Sequence, residues 1–155
     1  MRRADREICD PTEIAAILNR AAVCHLGLID GDWPYVVPVS FAYDAGVLYV
    51  HSATEGHKID LLRADPRVCF EVEADVAILP GETACAFGMR YRSVIGRGVA
   101  RFVEAPADRA KALDLIMAHY GAPGPHAYDP ATLARVTVLA IDVVSLTAKG
   151  AHLSE

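Results

Sequence analysis

Several common chemistries have no foothold in this sequence. Its four cysteines, Cys9, Cys24, Cys69 and Cys85, form no C-x-x-C pair. Its six histidines, His25, His51, His57, His119, His126 and His152, form no H-x-x-x-H pair and no grouping with carboxylates at metal spacing, so no metal ligand set is expected. There is no G-x-S-x-G elbow, no Walker loop and no G-x-G-x-x-G opening a helix after a strand. Any nicotinamide cofactor is therefore expected as a visiting electron donor, not as a resident on a Rossmann domain. No stretch of about 18 apolar residues exists to span a membrane. The opening Met1-Arg2-Arg3-Ala4 is followed by Asp5, Arg6 and Glu7 rather than by an apolar run, which argues against a secretory signal. Dense Lys/Arg runs are also missing, and the net charge is −5, which argues against nucleic acid as a partner.

What remains is a chain of 155 residues, 53% hydrophobic and 23% charged. That is a folded globular composition, and the length suits one domain over 1–155. The apolar share is slightly high for this size, which is weak support for a face buried in a partner subunit. Cys24 and Cys69 lie in apolar runs, where a reduced cysteine acts as a small hydrophobe. A cytoplasmic, reduced protein is the simplest expectation.

Along the chain, Asp10-Pro11-Thr12-Glu13 has the form of a helix start, with Asp10 as cap, Pro11 at the first position and Glu13 completing a capping box. Ile14, Ile17, Leu18 and Ala21 follow at helical spacing, with an end near Arg20. Three strands are predicted next, at 23–29, 35–43 and 47–52, forming an antiparallel meander. Pro38 in the second cannot donate to a ladder, so that strand is expected at an edge or bulged. A short helix at 56–64 ends at Asp65-Pro66. A strand at 67–73, a loop at 76–84 and a long strand region at 85–103 follow, with Gly88, Gly96 and Gly98 as bends or bulges. Pro106 starts another helix, 121–130 is a loop, and 136–146 is the last strand. Strands and helices do not alternate as in a doubly wound sheet, so a mainly β, antiparallel barrel with a few outer helices is expected.

Three segments could carry chemistry. In Leu48-Tyr49-Val50-His51-Ser52-Ala53-Thr54-Glu55-Gly56-His57-Lys58 a strand ends and a helix begins on a histidine and a lysine. A helix N-terminus suits a phosphate, and Lys58, His57, Ser52 and Thr54 add charge and donors. Capping alone would also account for the Ser, Thr and Gly. Arg92 and Ser93 lie in Tyr91-Arg92-Ser93-Val94-Ile95-Gly96-Arg97-Gly98, where an arginine suits carbonyls and phosphates but equally a solvated strand face. In Pro34-Tyr35-Val36-Val37-Pro38-Val39-Ser40-Phe41 the interrupted ladder leaves main-chain groups to which a planar heteroaromatic ring could bond. An ordinary core strand would look the same.

Taken together and in this order, these segments resemble the FMN-binding split-barrel family, and within it the nitroimidazole-resistance branch of the pyridoxamine 5′-phosphate oxidase-related proteins. The likeness runs over about residues 5–149. It implies a six-stranded antiparallel split β-barrel, a homodimer, and an FMN site shared between subunits. By the resemblance, His57 and Lys58 match the basic pair that holds the FMN phosphate, and Ser52 a polar residue beside it. Val37, Pro38 and Val39 match the strand whose main chain faces the ring, and Arg92 and Ser93 the segment supplied by the partner subunit. The oxidase proper has Arg-Lys where this chain has His57-Lys58, which implies weaker phosphate attraction at high pH. The oxidase's carboxy-terminal substrate-binding run is absent, which argues against pyridoxamine phosphate oxidation.

The expected activity is reduction of a small, electron-poor acceptor of nitroaromatic or quinone type by NAD(P)H, with the flavin carrying the electrons. His51 is the best candidate if a proton donor is needed, because an imidazole can exchange protons near neutrality. Storage or sensing of a flavin, of F420 or of haem without turnover is the alternative, and an empty structural dimer is a third.

Overall fold

A computed structural model describes residues 3–152. Among them the elements run β1 (Glu7–Ile8), α1 (Pro11–Arg20), β2 (Cys24–Asp30), β3 (Trp33–Val39), β4 (Phe41–Asp44), β5 (Val47–Ala53), α2 (His57–Ala64), β6 (Arg67–Leu79), β7 (Gly88–Phe102), α3 (Pro106–His119), α4 (Pro130–Leu133) and β8 (Val136–Ala151). All strand pairs are antiparallel, in the order β3-β2-β6-β7-β8-β5-β4, with β1 added on β8.

The order explains the shape. Strands β3 and β4 are consecutive in the chain, separated by Ser40 alone, yet they stand at opposite ends of the sheet. The predicted single strand at 35–43 is therefore two strands, and the predicted meander is two hairpins, β2–β3 and β4–β5. The sheet rolls until its ends are joined by the chain without a ladder between them, which is a split barrel. Counting β3 and β4 as one broken strand and setting aside the two-residue β1 recovers the six expected strands.

Leaving one ladder and joining another exposes backbone groups that must find partners when buried. At this seam the Phe41 amide donates to the Tyr120 hydroxyl at 3.1 Å, and that hydroxyl donates to the Ala22 carbonyl at 2.9 Å. Tyr120 caps α3, so this helix fastens the seam. Pro38 stands on β3, the end strand, as its missing N–H requires.

Helix α1 starts as predicted, with Asp10 accepting from the Thr12 amide at 2.9 Å. Glu13 does not close the capping box; its carboxylate lies 3.4 Å from Arg92 Nε on β7. Two strands are longer than predicted. Strand β6 runs on to Leu79 after a bulge between Ala74 and Ala77, which shifts the alternation and hid the continuing strand at 76–79. Strand β8 continues beyond Leu146 to Ala151, where β1 and β7 pair with it.

Ile17, Leu18, Leu26, Phe41, Leu48, Phe70, Val72, Leu139 and Ile141 fill the core. Each such side chain contributes about 1.5–3 kcal/mol relative to exposure. Gly96 is fixed by this packing: a Cβ there would fall inside the Phe70 ring. Gly98 lies at the β7–β8 register shift, as expected, where a Cβ would meet the Asp142 carbonyl at 2.7 Å. No helix among the described residues is long and apolar enough to cross a membrane.

Candidate functional site

The β5–α2 junction is built around Gly56, whose φ of +121° and ψ of 165° suit glycine alone. No side chain caps α2. The Gly56 carbonyl receives both Ile59 and Asp60, at 2.8 and 3.1 Å. The helix ladder leaves over the His57 and Lys58 amides, which sit at the positive end of the helix dipole.

His57 Nε2 lies 2.7 Å from Asp30 Oδ2, and its ring meets Tyr35 edge-on at 5.1 Å between centroids. The β2–β3 hairpin is thus tied to the first turn of α2. Lys58 is half-buried and has no ion pair or hydrogen bond among the described residues. Burial pushes its ammonium pKa down. A partly desolvated cation beside unpaired amides favours an anion. Ser52 is half-buried, opposite Thr137, and His51 is exposed, opposite Val138; the two point to opposite faces of β5.

On β3 the predicted residues divide by face. Val39 is in the core and the partly buried Val37 packs against it, so both side chains turn inward. Pro38 is exposed, and Val36, which the sequence analysis did not single out, stands 62% exposed on the same face. Beyond it lies a groove of about 490 Å³ over β2, β6 and β7, with Gly27, Cys69 and Arg97 in register behind Val36. His25 Nδ1 approaches Glu71 Oε2 at 3.3 Å at its side, and burial raises the Glu71 pKa despite that contact. Cys69, expected as a small core hydrophobe, faces this groove, because alternation on β6 puts Val68 and Phe70 inside instead. The signal for the groove is Gly27: a glycine inside a strand marks a close approach, and a Cβ there would lie 3.3 Å from the Cys69 carbonyl.

Arg92 and Ser93 sit apart from the α2 residues. Arg92 Nη1 donates to Asp75 at 2.8 Å, and Asp75 also accepts from Arg20 at 3.0 Å. Ser93 is 8% exposed, in register with Glu73 and Lys149. The Arg92 set and the His57–Lys58 set share no hydrogen-bond or ion-pair partner among the described residues.

An antiparallel split barrel with an anion-suited helix start beside its open end strand defines a recognisable class of small domain, and comparison with known proteins agrees. A solved candidate 5-nitroimidazole antibiotic resistance protein from Bacteroides thetaiotaomicron is 32% identical, with a TM-score of 0.83 over 93% of this chain and 86% of that one. A flavocytochrome from Azotobacter vinelandii shares the fold at a TM-score of 0.84 and 20% identity, over 100% of this chain and 75% of that one. An uncharacterised protein of Rhizobium meliloti is 31% identical over 107 residues, which is 69% of this chain; the match spans 59% of that relative's length. Residues 10–150 match the pyridoxamine 5′-phosphate oxidase family, and the chain belongs to it.

Proposed function

We propose that this protein is an FMN-dependent reductase of small electron-poor acceptors, acting as a homodimer in the cytoplasm. The observation that carries the reading is the start of α2: two unpaired amides, an unpartnered half-buried Lys58, and His57 held in place by Asp30. These groups fit a phosphate monoester. The neighbouring end strand β3, with Pro38 and Val36 outward, offers a flat apolar and main-chain surface to a ring. The flavocytochrome relative, named for a flavin and a haem protein, and the family match both support a flavin-type cofactor.

Bound flavin would supply hydride acceptance from NAD(P)H and donation to the acceptor. The chain's own tasks are to hold the phosphate at α2, to orient the ring along β3, and to cover it. Covering falls to a second copy: the outer face of β2, β3, β6 and β7 carries Val36, Ile29, Ile95 and Val99 exposed at 42–62%. Exposed apolar bands of this kind mark interfaces. Arg92 and Ser93 would reach the site from the partner. Reduction of a quinone takes a hydride and one proton; His51, exposed beside the junction, is the residue we assign to deliver that proton. The free cysteines fit a reducing compartment.

The test is anaerobic NADPH titration of FMN-loaded protein, followed by a quinone or a nitroaromatic compound. Bleaching by NADPH and recovery on adding the acceptor support the reductase. A bound flavin that NADPH does not bleach supports a binding protein without turnover. His51→Ala should slow turnover and lower the solvent deuterium effect; an unchanged rate removes that assignment.

A further inference from the structure

The β6–β7 hairpin outgrows the sheet that carries it. Strand β2 pairs with β6 only between Cys69 and Val72, and β8 pairs with β7 only from Tyr91 onward. Past those points β6 and β7 have only each other, in the rows Ala77–Arg90, Ile78–Met89 and Leu79–Gly88, closed by the loop 80–87. From the body of the barrel, the His152 ring comes up to Gly88. A two-stranded hairpin on its own is marginal in water, so this arm needs a surface to lie on. Its side chains say which kind: Val76, Ile78, Phe87 and Met89 are apolar and 49–68% exposed. Ile78 and Met89 oppose each other across the ladder, and alternation along β7 puts Met89 on the same face as Ile95, Arg97 and Val99.

That face also holds the groove of about 490 Å³, walled by Ile29, Pro34, Val36 and Arg97 among others. Met89 and Arg97 are eight positions apart on β7, roughly 26 Å at the rise of a strand, so the arm cannot cover the groove of its own copy. The charges of the two regions complement each other. Arg67 at the groove is held by Asp65, but Arg97 has no ion pair among the described residues. Glu82, in the loop of the arm, has none there either. An apolar arm with one free acid thus matches an apolar groove with one free base.

We infer that the β6–β7 arm of one copy lies in the β2–β6–β7 groove of a second copy, and that the second copy's arm lies in the groove of the first. The inference rests on the homodimer of the proposed function and names the element that closes its site. A twofold contact makes both exchanges at once, because each copy offers an arm and a groove on one face. Ile78 and Met89 then lie on the apolar wall of the opposite groove, and Glu82 comes to the partner's Arg97. Pro34 and Val36 border this groove and belong to the strand along which the ring is proposed to lie, so the arm is also the cover for the ring. Arg92 and Ser93, which that reading brings across from the partner, stand at the foot of the arm.

The test is sedimentation equilibrium of the full chain together with photo-crosslinking. The double variant Ile78→Ser, Met89→Ser changes two exposed side chains, so it should keep the far-ultraviolet circular dichroism of the wild type while weakening dimerisation by about tenfold or more. Replacing Ile78 by photoreactive p-benzoylphenylalanine should join two chains on a denaturing gel, with the insertion mapped by mass spectrometry to residues 27–36, 67–71 or 95–99 of the other copy. A dimer that withstands the double substitution, or a crosslink that maps elsewhere, overturns the arm-in-groove contact and leaves the homodimer standing. A wild type that stays monomeric at every concentration overturns both.

Discussion

His57 Nε2 lies 2.7 Å from Asp30 Oδ2, joining the first turn of α2 to the last residue of β2. The bond spans 27 positions of sequence, and its consequence is positional. It fixes the basic pair beside the open end strand of the barrel, where the proposed function puts a phosphate and a ring.

Replacing Asp30 by Asn keeps the contact and removes the charge. The pair is half-exposed, so the expected loss of stability is small, within about 1 kcal/mol. The expected loss of FMN affinity is larger, about threefold to tenfold, because a charge-assisted hydrogen bond becomes a neutral one and holds the ring less firmly at the helix start. Equal affinity in Asp30→Asn and the wild type would show that this pair does not serve the ligand.

Lys58 sets function against stability. Its partial burial disfavours the ammonium, a cost present at neutral pH that disappears as pH rises through its lowered pKa. Lys58→Met should therefore stabilise the ligand-free protein by about 0.5–1 kcal/mol while weakening FMN binding by tenfold or more. In the proposed site the ammonium holds the phosphate, so wild-type affinity should fall with rising pH earlier than an ordinary lysine would allow, and Lys58→Met should lack that fall. Melting temperatures with and without FMN, across pH, check all three.

Asp75 holds two arginines from a left-handed backbone position, φ +57°, at the β6 bulge. Partial burial raises its carboxyl pKa, but Arg20 and Arg92 together outweigh this and leave it lowered. The stability it adds is present above the ordinary carboxylate range and lost as pH falls through its lowered pKa. Asp75→Asn tolerates the same backbone and should cost about 1 kcal/mol at neutral pH, with the gap to wild type closing in acid. A gap that does not change with pH would assign the cost to packing.

Cysteine labelling reads the proposed interface. Cys24 is buried and its thiol pKa is pushed up to about 12 by that burial, so it should not react in the folded state. Cys9 and Cys85 are exposed and should react promptly. Cys69 lies on the outer apolar face and should be protected at concentrations where a dimer forms, then released on dilution. Labelling of Cys69 at one rate across all concentrations would move the interface elsewhere.

Gly96→Ala should destabilise the barrel by about 1–3 kcal/mol, because Phe70 occupies the space of its Cβ. Urea unfolding measures it. A neutral substitution would mean that the ring can move aside.

The sequence made the element types legible wherever one rule dominated. Asp10-Pro11 marked a helix start, Asp65-Pro66 a helix end, and Pro38 an edge. It hid what depends on distant partners. Nothing at Ser40 announces that the chain there leaves one end of the sheet for the other, since the partner satisfying Phe41 is Tyr120. The bulge at Asp75 put Val76–Leu79 out of phase with the strand before it. At the candidate site, the helix start at His57-Lys58 was readable from local chemistry. Its tie to Asp30 and Tyr35, and the inward turn of Val37 and Val39, follow only from the register of β2 on β3.

The most direct test of the central claim is the absorption spectrum of purified protein after addition of FMN and removal of the excess, beside a Lys58→Ala, His57→Ala double variant. Flavin bands that stay with the wild type and wash out of the variant are the predicted result. A wild type that stays colourless, or that carries a Soret band or F420 instead, contradicts FMN as the resident cofactor.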